Sequence, residues 1–404
     1  MAKPDKTKET SFKDLTAGRD YSSLLSSVVA ICIGLVFGFI ILLFANPSQA
    51  VNGFLTILQG GFAGGMRGVG NVFYYAVPIM MTGLGVAFAF KTGLFNIGGP
   101  GQFVIGGYTA ILLAVKLDFL PGPLRWIVPL FGALIAGGLW ALLPGLLTAY
   151  AHVNIVIGTI MMNYIGMYLV NFLIPRTGIY DLLKNQTVDV PSAACLPKVG
   201  LDKLFPGSSA NISIFIAIGM VILIHILLNK TTFGYELKAC GMNRDASKYA
   251  GINEKRNVIL SVMISGAVIG LGGALLYLAG TGKHIIVQDV LAPEGFNGIP
   301  VALLAMNSPI GVFFSSIFIA YITVAGFYMQ VHGFVPEIID IIIASIIYFS
   351  AFSLLIKGFI EKRRLQKSVA NTQKGEGAPP LSADPVAEME NSPLPDETIK
   401  GEEE

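Results

Sequence analysis

The sequence predicts an all-α, polytopic membrane protein, a bundle of about ten transmembrane helices. Of its 404 residues, 53% are apolar and only 13% charged, with a mean hydropathy of +0.68; soluble domains carry about a quarter of their residues as charges. The charges are also confined to short stretches. No Asp, Glu, Lys or Arg occurs in 22–66, 68–90, 92–115, 126–175, 212–229, 257–282, 295–336 or 341–356. Most of these windows reach the roughly 20 residues that carry a helix across the hydrocarbon core. The 47 glycines, with adjacent pairs at Gly60–Gly61, Gly64–Gly65 and Gly137–Gly138, suit helices that pack backbone to backbone in lipid.

In chain order, a polar segment 1–20 holding Lys3, Lys6, Lys8, Lys13 and Arg19 precedes the first apolar run. That run reads as an anchor rather than a cleaved leader, because a long polar stretch comes first and no small-x-small cleavage site follows. Spans are expected at 26–45, 70–90, 95–115, 126–149, 153–173, 210–229, 257–280, 295–307, 309–329 and 335–356. The eighth is short and contains Pro300, so a bent helix or half-crossing is equally compatible with it. The transmembrane domain is expected over 21–357, with 174–209 as an outer loop and 230–256 as an inner one. Beyond it, 358–404 reads as a cytoplasmic tail. From Glu376 it carries nine acids against Lys400 alone, a composition that favours disorder.

Positive charge near span ends marks the cytoplasmic side. The 230–256 segment carries six Lys or Arg against three Asp or Glu, and Lys357, Lys362, Arg363, Arg364 and Lys367 follow the last span. Ten crossings put both termini and 230–256 on that side; Lys116 and Arg125 are the exception, on the outer side. The net charge of +2 sums opposed patches and points to no nucleic-acid partner. Cys32, Cys195 and Cys240 are scattered, with no C-x-x-C, and predict neither disulfide nor metal site.

The sequence lacks both G-x-x-x-x-G-K-[ST] and H-E-x-x-H, so nothing marks the chain as a nucleotide hydrolase or a metalloprotease. His152, His225, His284 and His332 each stand alone, and no catalytic grouping is expected. Ion-coupled carriers hold acids or arginines inside their spans; these spans are almost free of them, so the driving energy is expected from elsewhere. The stretch from Thr231 to Arg256 combines good helix formers with Gly234, Gly241 and Gly251. It predicts a short helix between two spans, either a docking knob or an ordinary connector.

Four segments carry a resemblance. Thr232–Ile252 is similar to the cytoplasmic coupling loop of ABC importer permeases for simple sugars and nucleosides, T-x-F-G…R-A-x-G-x-N…A…A-G-I, matched at Thr232, Phe233, Gly234, Ala239, Gly241, Asn243, Ala246 and Ala250–Gly251–Ile252, with Lys238 for the usual Arg. Gly93–Gln102 resembles the nucleoside-branch signature G-x-F-N-I-G-x-E-G-Q, and Asn154–Tyr164 resembles N-E-V-I-x-T-I-M-L-N-Y. Gly295–Leu304 resembles G-F-x-G-I-A-V-A-L-L. Together they span about 68–356. The chain departs from the pattern where Pro100 and Ile155 replace acids.

The resemblance implies a type II-like permease subunit of an ABC importer in the bacterial cytoplasmic membrane. It implies two ATPase domains that use ATP, a second and non-identical permease, and an external substrate-binding lipoprotein. The chain itself is expected to bind no cofactor. Nucleosides, guanosine among them, are the favoured cargo, with simple sugars such as ribose as the alternative; a stand-alone channel or secondary carrier is the different class. Coupling to the ATPase is expected from Phe233, Gly234, Glu236, Lys238, Gly241, Asn243, Arg244 and Asp245. The substrate pathway is expected from Phe95, Asn96, Gln102, Asn154, Thr159, Asn163 and Phe296. Amides and aromatic faces suit a neutral, hydroxyl-rich solute, yet buried amides also clamp helices together, and the sequence leaves both readings open.

Overall fold

The computed structural model describes residues 19–351. The expected polar segment before Arg19, the basic cluster from Lys357 and the acidic tail lie outside the described residues. Helix α1 (Arg19–Ala45) is followed by α2 (Ala50–Gln59), a 3₁₀ turn (Gly60–Gly64) and α3 (Gly65–Lys91). Next come α4 (Gly99–Lys116), α5 (Leu124–Ala151) and α6 (Ile155–Leu173). A hairpin of β1 (Tyr180–Asp181) and β2 (Gln186–Thr187) and the single turn α7 (Leu201–Leu204) precede α8 (Ser213–Lys230). Two short helices, α9 (Thr232–Met242) and α10 (Arg244–Tyr249), lead into α11 (Glu254–Tyr277). The chain continues through α12 (Pro293–Phe296), α13 (Gly298–Leu304), α14 (Pro309–Met329) and α15 (Pro336–Ala351).

Six stretches among the described residues are long and apolar enough to cross a membrane: Ala50–Lys91, Leu124–Ala151, Ile155–Arg176, Ser213–Lys230, Glu254–Tyr277 and Pro309–His332. The chain is therefore a multi-pass, all-α membrane protein, while a count of ten crossings is not reached on these criteria. Helix α4 falls outside the six. Its Gly-Pro-Gly-Gln start is polar, and most of its length is buried against other helices rather than lipid. The Pro300 segment, for which the sequence left a full span, a bent helix or a half-crossing open, is too short for a full span. It divides into α12 and α13 at Asn297, and the seven residues of α13 reach only about 10 Å, a third of the hydrocarbon thickness.

The charge-free window 22–66 also concealed an element. Helix α2 turns away from α1 at Asn46–Pro47–Ser48 and ends at Gly60, which adopts a φ of 51°. Its last carbonyls would be left without partners. Tyr321 of α14 donates its hydroxyl to them, at 2.7 Å from Leu58 O and 2.6 Å from Gln59 O.

Around the centre, α11 packs on α5, α4 and α3, and α14 packs on α3. Glycine makes this closeness possible. A Cβ on Gly106 of α4 would stand 2.3 Å from Gly270 O, and one on Gly137 of α5 would stand 2.4 Å from Gly266 O. Three helices thus meet backbone to backbone, where dispersion contacts and not water exclusion hold them. The expected packing role of the glycines is what these positions show.

The two long connections lie at opposite ends of α3. In the 174–209 loop, Ser209 N donates to Asn71 Oδ1 at 3.1 Å. At the other end, Gly93 lies directly against Gly241 of α9. From Asn71 to Lys91 the helix rises about 30 Å, one hydrocarbon thickness. The 174–209 loop is folded rather than loose. Thr187 N donates to Ile285 O at 3.0 Å, and Leu196 N to Leu278 O at 2.8 Å, so the loop is laced to the segment that leaves α11.

Candidate functional site

The stretch following α8 is built by side-chain caps in series. Thr231 accepts from Gly234 N at 3.0 Å to start α9, Asn243 from Ala246 N at 3.0 Å to start α10, and Asn253 from Arg256 N at 3.1 Å to start α11. Each satisfies one of the amides that a helix start leaves open. Of the residues expected to couple, Gly234 and Gly241 are seams. A Cβ on Gly234 would lie 2.1 Å from Leu227 O, and one on Gly241 2.8 Å from Thr92 C. The neighbouring Gly93 has a φ of 73°, a conformation that bulkier residues resist.

Glu236 faces inward and accepts from Asn257 Nδ2 of α11 at 3.4 Å. Lys238 Nζ donates to Asn229 Oδ1 at 3.4 Å. Arg244 pairs loosely with Glu254 at 3.9 Å, and Asp245 is exposed. Phe233 is half-buried against the central core. The outward face belongs to residues that motif matching passes over: Tyr235, Met242 and Tyr249 are 69%, 88% and 93% exposed. Three large side chains thus stand exposed on one short, capped, charged element. In the sequence they recur every seven residues, a helical spacing, in an otherwise polar stretch, although the helix itself is interrupted at Asn243.

The residues expected along the pathway separate into two sets. Asn96, Gln102, Thr159 and Asn163 are essentially sealed from solvent. Asn96 Nδ2 donates to Ser265 Oγ at 2.9 Å and to Gln102 Oε1 at 3.2 Å, while Gly98 N donates to Asn96 Oδ1 at 2.9 Å. Ser265 Oγ donates onward to Gly85 O at 2.7 Å. Asn163 accepts from Gly101 N at 2.9 Å and donates to Ile97 O at 3.0 Å. Thr159 donates to Ile155 O at 2.8 Å within its own helix. In this arrangement the buried amides tie α3, α4, α6 and α11 together, and they do not form an open wall. Of the two readings the sequence left open for these four side chains, pathway lining and helix clamp, this geometry matches the clamp. The physical reason is that each amide dipole in the bundle is cancelled by a neighbouring helix.

Asn154, Phe95 and Phe296 remain accessible. Asn154 caps α6 by accepting from Val156 N at 2.9 Å. Phe95 and Phe296 are each 36% exposed, and Phe95 packs on Phe90 with ring centres 4.6 Å apart. The two missing acids have local explanations. Pro100 occupies the first turn of α4, where no N–H is needed, and the Gly295 backbone packs directly on it. Ile155 sits in an apolar cluster with Ala89, Leu94 and Ala141, where a carboxylate would be desolvated.

A cavity of about 330 Å³ lies between α4, α6, the end of α11 and the segment from Gly282 to Glu294. None of the expected pathway residues lines it. Among the described residues no group of three or more His, Cys, Asp or Glu is placed to hold a metal ion.

A family model described as "Branched-chain amino acid transport system / permease component" matches residues 68–351. The chain is 36% identical over 351 residues to the guanosine ABC transporter permease protein NupP of Bacillus subtilis, covering 87% of this chain and 99% of that one. It is 33% identical over 360 residues to the nucleoside ABC transporter permease protein NupB of Lactococcus lactis, covering 88% and 98%. The glucose ABC transporter permease protein TsgB13 of Haloferax volcanii is 29% identical over 323 residues, covering 77% and 82%. No solved structure matches. With a glycine-seamed bundle, a capped loop docked on the end of α3 and this match along most of its length, the chain belongs to the branched-chain amino acid transport system permease family.

Proposed function

We propose that this chain is the membrane subunit of an ATP-driven importer of nucleosides. The observation that carries the reading is the near-complete overlap with NupP and NupB, whose names state guanosine and nucleoside transport. In this reading α9 and α10 dock in an ATPase subunit through Tyr235, Met242 and Tyr249. The glycine seam between Gly241 and Gly93 then passes the ATPase movement to α3 without a flexible intermediary. The chain is not itself the ATPase; ATP is used by its partners. A second permease completes the pathway, a binding protein delivers the solute from the 174–209 side, and both termini are cytoplasmic.

The amide clamp of Asn96, Gln102 and Asn163 has, on this reading, the task of holding the helices that border the pathway. Phe95 and Phe296 are the accessible aromatics left to meet a nucleobase. The identity to TsgB13 favours a second reading, a simple-sugar importer of the same architecture.

The deciding experiment is uptake of radiolabelled guanosine by cells with and without the gene, challenged by excess uridine, ribose and leucine. Gene-dependent uptake blocked by uridine but not by ribose or leucine supports the nucleoside reading. Loss of ribose accumulation in its place moves the cargo to sugars. Sidedness has its own test in a Cys32→Ser background. An impermeant maleimide applied to intact cells should label Leu183→Cys, at a site 97% exposed, and spare Tyr249→Cys. Burial pushes the Cys195 thiol above its ordinary value, which keeps its background reaction slow at neutral pH. Labelling of Tyr249→Cys from outside would refute the proposed orientation.

A further inference from the structure

The cavity beside α12 contains a carboxylate that neither the coupling element nor the amide clamp uses. Glu294 stands on its wall together with Pro100, Met167, Asn171, Gln186 and Tyr277. Its position is fixed from both sides. The next residue, Gly295, is seated so closely on Pro100 that a Cβ would lie 2.4 Å from Pro100 Cα. Upstream, Asn171 Nδ2 of α6 donates to Gln288 O at 2.9 Å. Lys283 and His284 border the same cavity, but His284 turns to Asp189 at 3.2 Å, and among the described residues no cation is paired with Glu294, which borders the charge-free window 295–336. A half-buried carboxylate at the edge of such a window is costly unless something supplies it with donors.

The cavity has the size of a small-molecule site at the lower end of the usual range, about 300 Å³ upward. Its lining combines one acid, three amides, a lysine, a histidine and an aromatic ring. That combination suits a planar base with N–H donors on one edge. Guanine offers two parallel donors, N1–H and the 2-amino group, spaced to meet both oxygens of a carboxylate as an Arg fork does. Adenine offers an amine beside a ring acceptor, and uracil one N–H between two carbonyl oxygens that a carboxylate repels.

We propose that Glu294 is a specificity-determining residue of a solute site inside this permease, accepting the paired N–H donors of a guanine nucleoside in the cavity between α4, α6 and the 282–294 segment. The proposal rests on the nucleoside reading above, and the test separates the two. The complete transporter, with its ATPase, second permease and binding protein, is assayed for guanosine and adenosine uptake at saturating solute. Because the same binding protein serves every variant, its selectivity cancels when ratios are compared.

Glu294→Gln should lower the guanosine-to-adenosine ratio about tenfold, the low end of the discrimination a paired contact gives. Glu294→Asp, which keeps the carboxylate, should recover part of it. If both nucleosides enter and the ratio in Glu294→Gln stays within twofold of the parent, the proposal is overturned. A second measurement holds even where that substitution prevents assembly. In the otherwise unaltered complex in nanodiscs, Val290→Cys, on the same cavity and 62% exposed, should be shielded from alkylation by guanosine and much less by adenosine. A complex that transports guanosine while Val290→Cys stays unshielded also overturns it. A parent complex that takes up no nucleoside refutes the nucleoside reading itself.

Discussion

The amide cluster around Asn96 and the α9–α10 element contain the same kind of residue and do opposite things with it. In the cluster, Asn96, Gln102, Asn163 and Ser265 spend their polar groups on one another and on the backbones of Gly85, Ile97, Gly98 and Gly101. In α9–α10 the polar side chains Thr231, Asn243 and Asn253 cap helices, which leaves Tyr235, Met242 and Tyr249 facing out. One region turns polarity inward to fix helix positions in a medium without water. The other uses polarity to build a rigid support and leaves three large side chains exposed, the surface proposed above to meet the ATPase. A polar residue in a membrane protein therefore signals function only after its hydrogen bonds have been counted.

Three substitutions probe that contrast, and the largest effect is expected where the two regions are joined. Gly241→Val places a branched side chain against the backbone of Lys91, Thr92 and Gly93. Backbone there cannot yield, so the α9–α10 element should lift from α3. Transport should fall by more than about a hundredfold, equivalent to about 3 kcal/mol of lost coupling, while the bundle still inserts. Uptake assayed beside membrane abundance checks this. Retained transport would mean that the seam carries no movement.

Asn96→Leu comes next. It removes the acceptor of Gly98 N and two partners of Gln102 and Ser265, and each buried group left unpaired costs about 1–3 kcal/mol. Thermal unfolding of the purified complex should shift down clearly. The remaining folded fraction should transport at near-parent rate, because the side chain faces no open path. A normal melting temperature with lost transport would return Asn96 to the pathway.

The smallest effect on the fold is expected from Tyr235→Ala combined with Met242→Ala. Both side chains are exposed, and surface changes of this kind stay within about 0.5 kcal/mol. The reading here is the reverse of Asn96→Leu: an unchanged melting curve of this chain, with co-purification of the ATPase and uptake both reduced about tenfold, as two exposed anchors lost from an interface would give. An ATPase that still binds at parent level would move the contact elsewhere on the element.

Much of this architecture was legible because lipid sets a simple rule for length and apolarity. The windows free of charge located α1, α3, α4, α5, α6, α8, α11, α14 and the start of α15, each to within seven residues. The 232–252 motif located α9 and α10. Two elements escaped the rule. Helix α2 lies inside a longer charge-free window, so no charge marks its ends. The α12–α13 break occurs at Asn297 with no signal stronger than a glycine and Pro300, both of which also occur inside continuous helices here, as Pro78 does in α3 and Pro129 and Pro144 do in α5.

The sequence by itself determined the class of molecule, the order of its helices, its family and the segment that stands at the end of α3. Only the tertiary structure decided which side chains face protein, lipid or a cavity. In water, burial and apolarity go together, so a helix shows its inner face by periodicity. In a membrane the inner and outer faces are both apolar, and contacts between helices are set by glycine seams and paired amides. That is why Asn96 and Glu294 look equally available in the sequence, and why one is enclosed by its partners while the other, among the described residues, stands without an ion pair on the wall of a cavity.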